Sequence, residues 1–125
     1  MLDIEVIGAA LDAGEVRRAC SAAAAARGVS AGHVAVEFVG AERIAALNER
    51  FRGKPGPTDV LSFPVDEAGA AAGERELGDV VICPEQSGDL LEVVVHGMLH
   101  LTGMDHETDD GEMLALQDEL LARLR

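Results

Sequence analysis

Apolar and acidic residues alternate at the start of the chain, with Leu2, Ile4 and Val6 set against Asp3 and Glu5. A period of two predicts a strand with one wetted face. The period then lengthens. Leu11 to Arg27 is alanine-rich, and Leu11, Val16, Cys20 and Ala23 or Ala24 roughly follow helical spacing, with Gly28 as the stop. Alternation returns over His33–Val39, where Val34, Val36 and Phe38 share a face of a second strand and His33 reads as a surface residue. Ile44, Leu47 and Phe51 line one side of a short helix over Glu42–Phe51, ended by Gly53 and Pro55. Val60–Phe63 is a short strand closed by Pro64. Val80, Val81 and Ile82, within Leu77–Cys83, form an apolar run suited to an interior strand, and Pro84 ends it. Between these two strands, Asp66–Glu76 reads as a polar loop, with Asp66, Glu67, Glu74 and Glu76 as a solvated face rather than metal ligands.

The remainder is helical. Gln86–Gly88 is a connector, and Asp89 is a good N-cap for an apolar run that continues through Val95. Met113, Leu116 or Gln117, Leu120 and Leu124 mark one face of a last helix. Thr108 is its candidate cap, and Arg123 to Arg125 place positive charge at its C-terminus. The order β, α, β, α, β, β, α, α has no repeat, linker or boundary, which predicts one domain over residues 1–125. The strands flanking Asp66–Glu76 predict at least one antiparallel pairing. The expected class is α+β, a small mixed sheet of about four strands packed with helices.

Composition narrows the function. With 48% hydrophobic residues and only 2% aromatic, all phenylalanine, the core must be built from Leu, Val, Ile, Ala and Met. Ten basic against 23 acidic residues give a formal charge of −13, which excludes coating nucleic acid through bulk charge but allows a local basic patch. Cys20 and Cys83 make no disulfide framework, so a reducing cytosol is the default, and Cys20 reads as a small buried residue. Asp3 and Glu5 interrupt any signal peptide, and no apolar run approaches the roughly 20 residues of a membrane span.

Three of the four histidines fall within His96–His106. His96 and His100 lie one turn apart on one helical face, where two imidazoles can bind one metal ion. A straight helix would carry His106 to a different face. Gly103 offers an exit, because glycine takes the left-handed conformation of a C-cap, and a turn there could bring His106 back. Three imidazoles leave tetrahedral zinc one open position, which suits catalysis, and zinc lowers the pKa of a bound water to about 7. A fourth ligand from Asp or Cys would instead favour a structural metal. The pattern differs from the His-Glu-x-x-His of metallopeptidases because Gly97 stands where the general-base glutamate would be; glycine there also lets another backbone or a substrate approach the metal. Asp105, the nearest carboxylate, is a candidate to orient a ligand imidazole or to move a proton. Arg50, Arg52 and Lys54 concentrate basic charge in a Gly- and Pro-rich loop, which reads either as a solvated connector or as a phosphate contact, with Arg52 best suited to phosphate oxygens.

Three blocks resemble the YbeY family of bacterial rRNA maturation factors, single-strand-specific metal-dependent endoribonucleases. They are Phe51–Lys54 with Pro57–Pro64, Leu77–Glu85, and His96–His106. The resemblance implies zinc, one ion per chain, on His96, His100 and His106, with Arg52 as the functional arginine. It implies hydrolysis of a phosphodiester in single-stranded RNA, small-subunit rRNA 3′-end maturation and ribosome quality control. The partners it implies are rRNA and the small ribosomal subunit or its proteins, in the cytoplasm, with neither DNA nor membrane. Arg50 and Lys54 would extend the RNA path, and Thr58 or Ser62 could position the strand beside the substrate. The rivals are a non-catalytic ribosome-associated factor with a structural metal, and a zinc hydrolase acting on another substrate. Gln86–Val95 is shorter than the corresponding family segment, so the histidine helix is expected to begin late or to lack a supporting turn.

Overall fold

Strand β1 (Leu2–Ile7) pairs in parallel with β2 (Gly32–Phe38), and β2 pairs in parallel with β4 (Glu76–Ile82). On the far side of β4, β3 (Val60–Pro64) runs antiparallel, with Val60 opposite Ile82 and Pro64 opposite Gly78. The sheet is therefore mixed, in the order β1-β2-β4-β3. The computed structural model describes residues 2–8, 10–65 and 76–125. The loop residues Asp66, Glu67 and Glu74 lie outside them.

Alternation along the strands sends side chains to two unequal layers. Val34 and Val36 of β2 and Val80 and Ile82 of β4 enter the main core. Helices α1 (Ala13–Ala26) and α3 (Leu90–Leu101) pack on that side, and α4 (Glu112–Leu124) lies against both of them. Val81 and Cys83 point the other way and meet Leu61 of β3 and Ile44 of α2 (Ala41–Arg52). The α+β class, the order of elements and the antiparallel pair follow the pattern of apolar positions. Both cysteines are buried and free, and burial pushes the Cys20 thiol up to about 12, which keeps it inert. Among the described residues, no helix is long and apolar enough to cross a membrane.

The central element is α3. It is apolar nearly all round, with Leu91, Val93, Val94, Val95, Met98, Leu99 and Leu101 buried. Three successive valines weaken a helix by a few tenths of a kcal/mol each, whereas burying one such side chain contributes about 1.5–3 kcal/mol, so packing decides the conformation. A 3₁₀ turn at Pro84–Gln86 precedes α3. Asp89 Oδ1 then accepts from the Leu91 and Glu92 amides at 3.0 and 3.3 Å, so the short connector still delivers a capped helix. The cap of α4 is not the expected one. Its N-cap position is Gly111, and Asp109 accepts from the Gly111 and Met113 amides at 2.8 and 2.9 Å. Thr108 instead donates its hydroxyl to the Asp105 carbonyl. A carboxylate satisfies helix N–H groups better than a hydroxyl does.

Gly97 is not a window towards a substrate. It faces the sheet, and a Cβ built there would lie 2.5 Å from Val80 Cγ1 and 3.0 Å from Val60 Cγ2. The missing side chain lets α3 approach β3 and β4 directly, and Ser62 Oγ donates to the Gly97 carbonyl at 2.7 Å. Ser62 thus ties the strand to the helix. His33, at the outer face of the sheet, joins two strands to its own: Nδ1 lies 2.9 Å from Glu76 and Nε2 lies 3.4 Å from Glu5.

Two expectations follow from these contacts. Gly97→Ala should destabilise the protein by roughly 1–3 kcal/mol through overpacking, although alanine is the better helix former. The same change in a Val80→Ala background should cost much less, as urea unfolding midpoints would show. The Glu76 hydrogen bond and the surrounding carboxylates hold the His33 pKa above the ordinary imidazole value, against some desolvation. Because the folded pKa is raised, this stabilisation is fully present below the unfolded value of about 6.5 and fades as pH rises through the folded value. His33→Gln should flatten that dependence by no more than about 1 kcal/mol, measured by denaturation across pH 5–9.

Candidate metal centre

Helical spacing alone places His96 and His100 together, with ring centroids 4.7 Å apart. The third ring arrives because α3 stops. Thr102 is the C-cap, Gly103 adopts φ +104°, and the Gly103 and Met104 amides turn back onto the carbonyls of His100 and Leu99, both at 3.0 Å. Arg27, the C-cap of α1, donates to the Thr102 carbonyl and hydroxyl, placing positive charge at the C-terminus of α3. Beyond the turn, Asp105 Oδ1 accepts from the Glu107 amide at 3.0 Å and shapes the bend that carries His106. The His106 ring centroid lies 5.2 Å from both His96 and His100. Each histidine offers a ligand nitrogen, and these nitrogens lie within 4.8 Å of one another.

The proton positions suit ligation. His100 Nδ1 lies 2.9 Å from the Met104 carbonyl, which can only accept, so Nδ1 carries the hydrogen and Nε2 presents its lone pair. His96 Nδ1 lies 2.8 Å from Gln117 Oε1, and Gln117 Nε2 donates to Glu92 Oε1 at 3.2 Å. With the amide nitrogen committed to a carboxylate, the amide oxygen is left to accept from His96. Burial, together with the neighbouring His96, pulls the His100 pKa below the ordinary imidazole value and favours the neutral, ligating form. All three rings are half-buried. The donor set therefore fits a metal ion, and among the described residues no fourth carboxylate, thiolate or imidazole gathers with these three.

The rings open into a cleft of about 570 Å³, whose opposite wall comes from the end of α2 and from β3. Arg52, Thr58, Asp59 and Phe63 line that wall; Asp105 and Glu107 line the histidine side. Arg52 is exposed at the last position of α2. Arg50 is not among the lining residues, and its guanidinium lies 5.2 Å from the centre of the Phe51 ring. Lys54 is exposed outside the lining as well. Thr58 donates to Asp59 Oδ1 at 3.4 Å. Asp105 lines the cleft, and the Nδ1 positions of His100 and His96 are taken by the Met104 carbonyl and Gln117. Sequence reasoning missed Gln117 as a partner of His96. The available signal was an amide on an otherwise apolar helix face. Asn48 was missed too: buried on α2, it donates to the Gly56 carbonyl at 3.0 Å and so pins the Gly/Pro loop.

Comparison with known proteins places this geometry. The sequence model of the family described as Endoribonuclease YbeY matches residues 9–125. A Micrococcus luteus protein named Endoribonuclease YbeY is 42% identical over 108 residues, covering 72% of this chain and 69% of that protein. A Thermobifida fusca protein of the same name is 43% identical over 111 residues, covering 74% and 72% respectively. The solution structure of a Thermotoga maritima protein aligns with a TM-score of 0.59 at 27% identity, covering 99% of this chain and 89% of that one. The match across the loop, both central strands and the histidine turn makes the chain a member of the YbeY endoribonuclease family.

Proposed function

We propose that the chain is a zinc-dependent endoribonuclease that cuts single-stranded RNA during rRNA processing, at the 3′ end of small-subunit rRNA, and serves ribosome quality control in the cytoplasm. The observation that carries the reading is the three-imidazole cluster facing an arginine across an open cleft. A single zinc ion on His96, His100 and His106 would supply a Lewis acid for polarising a phosphoryl oxygen or acidifying water. The rest falls to the side chains. Gln117 and the Met104 carbonyl hold the His96 and His100 rings in one tautomer and orientation. Arg52 stabilises the negative charge that grows on the phosphoryl oxygens, through charge-assisted hydrogen bonds. Asp105, solvent-exposed on the cleft lip, is placed to pass a proton between water and the reacting group.

Three donors rather than four support turnover over a purely structural metal. Glycine at position 97, turned into the sheet, leaves the site without the carboxylate that peptidases use there. Arginine opposite the histidines suits a phosphodiester better than a peptide carbonyl.

Three variants test the reading. His100→Ala should lose both bound zinc and cleavage of single-stranded RNA, and full zinc content in the purified variant would overturn the ligand set. Arg52→Ala should keep its zinc and its melting temperature but cut about 10²–10³-fold more slowly. Equal cleavage by wild type and both variants would identify a contaminating nuclease. Gln117→Leu should fold and still bind zinc, with affinity lower by roughly 10–100-fold in a competition titration against a chromogenic chelator.

A further inference from the structure

An exposed aromatic stands out on a chain with three phenylalanines and no tryptophan or tyrosine. Phe38 packs against the main core. The other two line the cleft beside the histidines. Phe51, in the last turn of α2, is 56% exposed. Its ring meets Phe63 edge to face, with centroids 5.2 Å and planes 67° apart. Phe63 in turn packs against the second core of Ile44, Leu61, Val81 and Cys83, so the exposed ring is braced by an anchored one. The Arg50 guanidinium lies over the Phe51 ring, 5.2 Å from its centroid, and is outside the lining of the cleft.

We infer that Phe51, braced by Phe63, is the platform on which an unpaired base of the RNA strand stacks. The inference rests on the RNA reading above. A base inside a duplex already has both faces covered by its neighbours, whereas an unpaired base can be splayed onto an aromatic ring. Every base has a π-face, so one exposed ring selects for strandedness without selecting for sequence. Phe51 and Arg52 are consecutive and both line the cleft. Together they can hold the base and the phosphate of a strand, and thereby set which phosphodiester faces the histidines. The contact matters more on this chain than on a basic nuclease. A net charge of −13 weakens any grip that relies on phosphate attraction alone, and stacking does not depend on charge.

The absence of tryptophan from the sequence makes the test direct, because Phe51→Trp introduces the single indole of the protein. In the metal-loaded variant, indole fluorescence followed by stopped flow ahead of cleavage should be quenched by a short single-stranded RNA. It should not be quenched by an abasic strand of equal length or by the same RNA in a duplex. Phe51→Leu keeps an apolar side chain against Phe63 but removes the π-face. It should bind labelled single-stranded RNA about 5- to 100-fold more weakly, with an unchanged melting temperature and zinc content. An unquenched indole and a leucine variant binding within twofold of wild type would overturn the platform. If wild type still binds and cuts the strand in that case, the RNA reading survives. A wild-type protein that neither binds nor cuts single-stranded RNA would overturn both.

Discussion

The cleft depends on one contact, where α3 crosses the β3–β4 pair with no side chain of its own in the way. Val80 and Val60 reach the helix backbone at Gly97, and the Ser62 hydroxyl holds the Gly97 carbonyl from the strand side. His96 is the adjacent residue and His100 follows one turn later, so the height of the metal cluster over the sheet is set by that approach. The same strand that donates Ser62 carries Phe63, and the loop before it leads back to Arg52. The histidine-bearing helix and the wall that carries Phe63 are therefore docked at a common point. Close-packed interiors transmit displacement rather than absorb it, so a shift at Gly97 moves the two walls relative to each other.

Much of this was legible in the chain. Periods of two and of three to four residues give the element order, and the two neighbouring apolar runs at Val60–Phe63 and Leu77–Cys83 give the antiparallel pair. The histidine cluster was legible because its spacing is local: two ligands follow from helical geometry and the third from a glycine-made turn. What was not legible depends on contacts distant in sequence. Gln117 reaches His96 from α4, across 21 positions, and Glu92 completes that chain from α3. Gly97 admits the close approach of either another backbone or a substrate, and because a glycine in a sequence does not say which way it faces, only the fold shows that the sheet is what approaches. The cap of α4 was misplaced by one chemical step, since a threonine and an aspartate stood side by side and the carboxylate took the helix amides.

The short connector before α3 is informative in the same way. Losing residues between β4 and the histidine helix would be expected to loosen the ligands. Instead, Ser87 Oγ donates to the Cys83 carbonyl at 2.7 Å, the 3₁₀ turn folds the chain over, and Asp89 starts the helix with its own cap. Arg125, at the far end of α4, also pairs with Asp89. The N-terminus of the histidine-bearing helix is thus held from both sides, by its connector and by Arg125. The burial of α3 does the rest, because a helix apolar on nearly every side has little freedom to slide.

Charge then gives the cleft a direction. Arg52 lines one wall beside Phe51 and Phe63, with Arg50 stacked on the outer ring. Asp105 and Glu107 line the other, next to His106. A polyanion entering this space is drawn to the first wall and repelled by the second, by forces that salt leaves effective over roughly 10 Å. The overall charge disfavours indiscriminate binding of a polyanion along the surface, and the cleft is where arginine and an aromatic face stand together.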